Sequence, residues 1–133
     1  MFGAAPPPPP TEPTTPTPES TMLLHLVLAR WKPDVPPAAD IAELRADIEQ
    51  FTRIPGVLLV RAGSDLELAA DNADFGMATV FADVAALTDF VAHPTHLRVS
   101  RRLAGMVASV TRMQIPLADD DAIVAGRPDS AKV

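Results

Sequence analysis

Imidazole takes and returns a proton near neutral pH, and three positions in this sequence carry it: His25, His93 and His96. There is no cysteine, so disulfides, thiolate metal sites and thiol nucleophiles are all excluded. Tyrosine is absent as well, so no phenol can donate a hydrogen bond to a developing oxyanion. Three histidines would suffice for an open zinc site, but Pro94 interrupts the helical spacing that would align His93 with His96, and no metal is expected. Haem ligation would need support beyond the histidines, and no cofactor is expected. Arg98, Arg101 and Arg102 crowd one segment and could hold an anion, although a solvated helix face explains them more simply. Asp65, Glu67 and Asp71 share a polar stretch without a ligand pattern, which points to solubility rather than to a cation. Trp31 reads as a packing residue.

The elements that must position these groups follow from periodicity. From Met22 to Trp31 the chain is apolar on both alternating faces of a strand: Leu24, Leu26 and Leu28 on one, Leu23, His25, Val27 and Ala29 on the other. Helices can cover one face of a small sheet. The second apolar face asks for another sheet, which in so short a chain must come from a second copy. Asp40 and Glu43 resemble a capping box, and Ile41, Leu44, Ile48 and Phe51 follow at helical spacing until Ile54-Pro55-Gly56 ends the helix. Strands are expected over 57–62 and 74–81, joined by a polar connection. Asp83 can cap a second helix with the stripe Val84, Leu87, Phe90 and Val91, which yields at His93-Pro94. Thr95 can cap a further helical piece over 96–105 with Leu97 and Leu103 inward, before a last strand over 107–115. The order is β-α-β-β-α-β with a split second helix, a ferredoxin-like α+β fold.

The landmarks His25-Leu26-Val27-Leu28, Ile54-Pro55-Gly56-Val57 and His93-Pro94-Thr95-His96 together resemble the stress-responsive A/B barrel (Dabb) domain over residues 22–116. The resemblance implies a homodimer in which two four-stranded sheets join as a dimeric α/β barrel. It leaves the chemistry open, because similar proteins include stress-induced proteins without a settled activity and a cofactor-free plant polyketide cyclase. In that cyclase the second histidine of the motif, here His96, is a general base, and His25 matches a pocket histidine on the first strand. The implied pocket, for a small apolar ligand, would be lined by Val27, Ala29, Leu44, Phe90 and His93. Phe90 stands where the cyclase has tyrosine, so the plant reaction does not carry over. Buried histidines that serve structure are commoner than catalytic ones, and catalysis would require His96 to face a cavity of about 300 Å³ or more.

Composition bounds the remainder. The first twenty residues hold eight of the fifteen prolines and read as a disordered leader over 1–21, with a flexible polar tail over 117–133. Met22, directly before the first strand, offers a second place for translation to begin. The apolar run there is broken by His25 and suits neither a signal peptide nor a membrane span, so a cytoplasmic protein is expected. Net charge is −6, and residues 22–116 carry nine Lys and Arg against eleven Asp and Glu. That balance lacks the basic stripe of a nucleic-acid or anionic-membrane binder.

Overall fold

The computed structural model describes residues 21–34 and 36–118, so the expected leader apart from Thr21 and nearly all of the expected tail lie outside the described residues. Four strands, β1 (Leu23–Trp31), β2 (Val57–Ser64), β3 (Phe75–Phe81) and β4 (Val107–Pro116), form one sheet in the order β2-β3-β1-β4 with every neighbouring pair antiparallel. Three helices connect them: α1 (Ala38–Glu49), continued by a 3₁₀ turn over Gln50–Arg53, then α2 (Val84–Ala92) and α3 (Pro94–Ala104). This is the ferredoxin-like α+β arrangement. Among the described residues no helix is long and apolar enough to cross a membrane.

One face of the sheet carries the core. Leu23, Val27 and Ala29 of β1 pack with Phe75, Met77 and Phe81 of β3, and the helices add Leu44, Ile48, Phe51, Phe90, Val99 and Leu103. The strand period of two then sends Leu24, Leu26 and Leu28 to the opposite face. Their register partners there are Val80, Ala78 and Gly76 on β3 and Ile115, Met113 and Thr111 on β4, with Leu59 beside Val80. Val80 and Leu117 are buried apart from the core, but Leu28 is 47% and Met113 53% exposed. The helix-free face is therefore apolar, with Arg61 at one side of it opposite Ala78.

Local differences from the sequence expectations have local causes. No capping box forms at Asp40 and Glu43: α1 starts at Ala38, and Pro37, in extended conformation, caps it through its carbonyl, which accepts from Asp40 N at 3.0 Å. The prolines preset the backbone, which leaves Asp40 in the first turn to favour the helix dipole and frees Glu43 to pair with Arg102 at 2.8 Å. Thr95 is not a cap either. Pro94 occupies the first helical position, where its missing N–H costs nothing, and it holds His93 extended, so His93 becomes the cap and its Nδ1 accepts from Thr95 N at 3.1 Å. On α3 the inward residues are Val99 and Leu103, with Leu97 43% exposed, and on α2 Phe90 is buried while Val91 is 49% exposed. Asp83 does cap α2, accepting from Ala86 N at 2.8 Å. The acidic loop after β2 is tied by Asp65, whose carboxylate accepts from Glu67 N at 2.7 Å and from the Asn72 amide at 3.2 Å.

Thr79 on β3 is fully buried, and its Oγ1 has no hydrogen-bond partner among the described residues. A buried hydroxyl without a partner costs about 1–3 kcal/mol. Thr79→Val keeps the shape and removes that cost, so it is expected to stabilise the protein by about 1 kcal/mol or more, seen as a higher urea midpoint at unchanged m-value. A lower midpoint would mean that the hydroxyl is satisfied in solution.

Candidate functional site

The site lies between the helix-covered face of β1 and β4 and the inner side of α3. The aromatic floor comes first: Phe51 and Phe81 each meet Phe90 edge to face at ring-centroid distances of 4.8 Å. His96, in the first turn of α3, lies 4.5 Å from Phe90 and 6.2 Å from Phe51. Its Nδ1 is 3.0 Å from the carbonyl oxygen of Val91, near the end of α2. A carbonyl only accepts, so Nδ1 carries the proton and the lone pair of the neutral ring sits on Nε2. The break at His93-Pro94 makes this contact possible, because it folds α3 back so that its first turn meets the last carbonyls of α2.

His25 reaches the same space from β1. Its neighbours across the sheet are Thr79 and Gln114, and the Gln114 Nε2 amide donates to His25 Nδ1 at 2.8 Å. That assigns the His25 proton to Nε2, so the two rings offer complementary groups: an N–H donor on His25 and a lone pair on His96. The next inward position on β4 is Arg112, opposite Val27. Burial lowers the pKa of both histidines below 6.5. For His25 the charges of His96 and Arg112 lower it further; for His96 the Val91 carbonyl opposes the shift and Arg112 adds to it.

Between these groups lies a cleft of about 40 Å³. His25, His96, Ser100 and Arg112 supply its polar lining, and Val27, Phe51, Met77, Phe90, Val99 and Leu103 its apolar lining. The volume is far below the 300 Å³ expected of a catalytic cavity, because the three phenyl rings and Met77 fill the space beneath the sheet. Of the anticipated pocket residues, Val27 and Phe90 line the cleft. Ala29 and Leu44 are sealed in the core at 1% and 0% exposure, and His93 caps α3. Arg112, Gln114 and Ser100 were not anticipated. Their signal was present: Arg112 and Gln114 share the alternating face of Val110, and Ser100 is one helical turn after His96.

Two of the remaining candidates, Arg102 and Trp31, serve structure. Arg102 bridges α3 to α1 through Glu43 at 2.8 Å and Asp47 at 3.9 Å. Trp31 packs on Phe75 with ring centroids 5.4 Å apart, and its backbone N–H donates to Asp74 at 2.8 Å.

The family model of the stress responsive A/B barrel domain matches residues 23–115, which include His25, His96 and the His93-Pro94 break. The chain belongs to the Dabb family. Among solved structures it is similar to a dimeric ferredoxin-like protein of unknown function from Thermobifida fusca, with 25% identity, a TM-score of 0.69, and coverage of 74% of this chain and 93% of that one. A Dabb family protein with a ferredoxin-like fold from Mesorhizobium loti is also 25% identical, with a TM-score of 0.61 over 74% of this chain and 99% of that one. A hydroxynitrile lyase from Passiflora edulis, 19% identical with a TM-score of 0.65 over 75% of this chain and 96% of that one, shares the fold. No curated protein matches the sequence.

The depressed histidines of this Dabb domain make its stability depend on pH. A histidine with a lower pKa folded than unfolded binds fewer protons in the native state, so the stability it contributes is complete above pH 6.5 and declines as pH falls below that value. The thermal midpoint is expected to drop between pH 7 and pH 5, and His25→Gln with His96→Gln is expected to flatten the drop. An equally steep acid limb in the double variant would assign the drop to carboxylates instead.

Proposed function

We propose that this Dabb protein is a cytoplasmic homodimer that holds a small ligand in the cleft between β1, β4 and α3. The ligand has a polar end at His25, His96 and Arg112 and an apolar body that extends from the cleft, whose inner side is closed by Phe51 and Phe90. One observation carries this reading: three groups from three separate elements converge on one concavity with complementary donor and acceptor atoms. The apolar, helix-free sheet face supports the homodimer, and the dimeric ferredoxin-like protein of Thermobifida fusca supports it by similarity. A role in stress response rests on the family alone. Native mass spectrometry of the purified protein is expected to give two copies per particle with a small organic molecule retained; monomers without bound ligand would overturn both parts.

A second reading, cofactor-free proton transfer, has one feature in its favour, although the cleft of about 40 Å³ falls short of the roughly 300 Å³ that it would require. The Val91 carbonyl leaves His96 Nε2 unprotonated, and burial with the Arg112 charge holds the ring neutral, the state a general base needs. His25 would orient the substrate through its Nε2–H. The missing tyrosine donor then has replacements in that N–H and in the Arg112 guanidinium. Against ketone and polyketide probes, His96→Gln is expected to lower turnover at least a hundredfold with the fold intact; a smaller loss would leave binding as the function.

A further inference from the structure

The polar lining of the cleft is one-sided in charge. The chain has 17 acidic against 11 basic residues, yet no carboxylate lines the cleft. The ion pairs found among the described residues both belong to Arg102, and none involves Arg112. Arg112 is thus a cation without an acidic partner at a concave site, flanked by two histidines that stay neutral. The site carries a net charge of about +1, and a guanidinium fork matches the two oxygens of a carboxylate.

Size and atom types narrow the class. A cleft of about 40 Å³ takes roughly three water-sized groups, the number of heavy atoms in a carboxylate and fewer than in a phosphate. His25 Nε2–H and the Ser100 hydroxyl supply further donors beside the guanidinium, while Phe51, Phe90 and Val99, only 0–2% exposed, close the inner side, so the rest of a ligand extends outward past the exposed Ser100 and Arg112. We infer that the ligand is a small monocarboxylate with an aryl or alkyl body, its carboxylate seated on Arg112 with His25 and Ser100. This rests on the ligand-binding reading above. His96 Nε2, the ring acceptor in the lining, faces a hydroxyl or an acidic C–H next to that carboxylate.

Benzoate and the uncharged benzyl alcohol test this with the full chain at constant pH. The readout is the histidine ring resonances by NMR, with His93, which lies off the cleft, as internal reference. Benzoate is expected to shift His25 and His96 saturably and at least tenfold more tightly than benzyl alcohol. Arg112→Gln is expected to reduce benzoate to the level of the alcohol, while Arg98→Gln leaves it unchanged. Equal binding of the two probes, or benzoate binding unaltered in Arg112→Gln, would overturn the carboxylate while leaving the ligand site standing. Failure of both probes to move either ring would overturn the ligand site as well.

Discussion

Leu26→Glu is expected to convert the proposed homodimer to a monomer. Leu26 sits mid-strand on β1 on the helix-free face, between Ala78 of β3 and Met113 of β4, at the centre of the apolar strip that a second sheet would cover. Two copies bring two carboxylates into that interface, and burying each without a partner costs several kcal/mol. A loss of about 4 kcal/mol weakens association roughly a thousandfold, enough to take a micromolar dimer apart at ordinary concentrations. Light scattering coupled to size exclusion should report one copy for Leu26→Glu and two for the parent chain, with circular dichroism showing whether the monomer keeps its helices. Arg53→Glu, an exposed substitution on the helix side, should leave the dimer whole. A Leu26→Glu variant that remains dimeric would show that the copies meet elsewhere.

Gly56→Ala is expected to be nearly as severe, through the fold of the single chain. Gly56 has φ +89, a region in which a side chain is strained, and a β-carbon there would collide with Cβ of Ala86 in the first turn of α2. The turn cannot simply move away. Gly56 O accepts from Ala82 N at 2.9 Å, which locks it to the end of β3. Strain of about 1 kcal/mol and overpacking of about 1–3 kcal/mol add to roughly 2–4 kcal/mol. Small domains have about 5–15 kcal/mol in total, so the melting temperature should fall by about ten degrees or more. Adding Ala86→Gly removes the collision but not the φ strain, and should restore part of the loss. A change within about 0.5 kcal/mol for Gly56→Ala would show that α2 can retreat.

The glycine shows how a sequence landmark acquires a cause. Ile54-Pro55-Gly56 stands out in the sequence as a helix stop, and the structure adds that only a residue without a β-carbon lets α2 approach the turn. Mislocated caps have the opposite history. Asp40 and Thr95 have the right chemistry for capping, but neighbouring prolines preset the backbone one to three residues earlier and took that role from them.

By itself the sequence determined the order of elements and the two-sided first strand, because strand and helix periods depend only on neighbours along the chain; the pairing of His25 with His96 came from the family resemblance. The period also placed Leu26 on the opposite face from His25, and with it the apolar face proposed to take a second copy. Only the tertiary structure decided which groups meet. Gln114 and Arg112 reach His25 and Val27 through β1–β4 register across nearly ninety residues, and that register depends on the whole sheet. The cleft volume was likewise hidden, since it is what remains after Phe51, Phe81, Phe90 and Met77 pack, and close packing is a property of side chains in three dimensions.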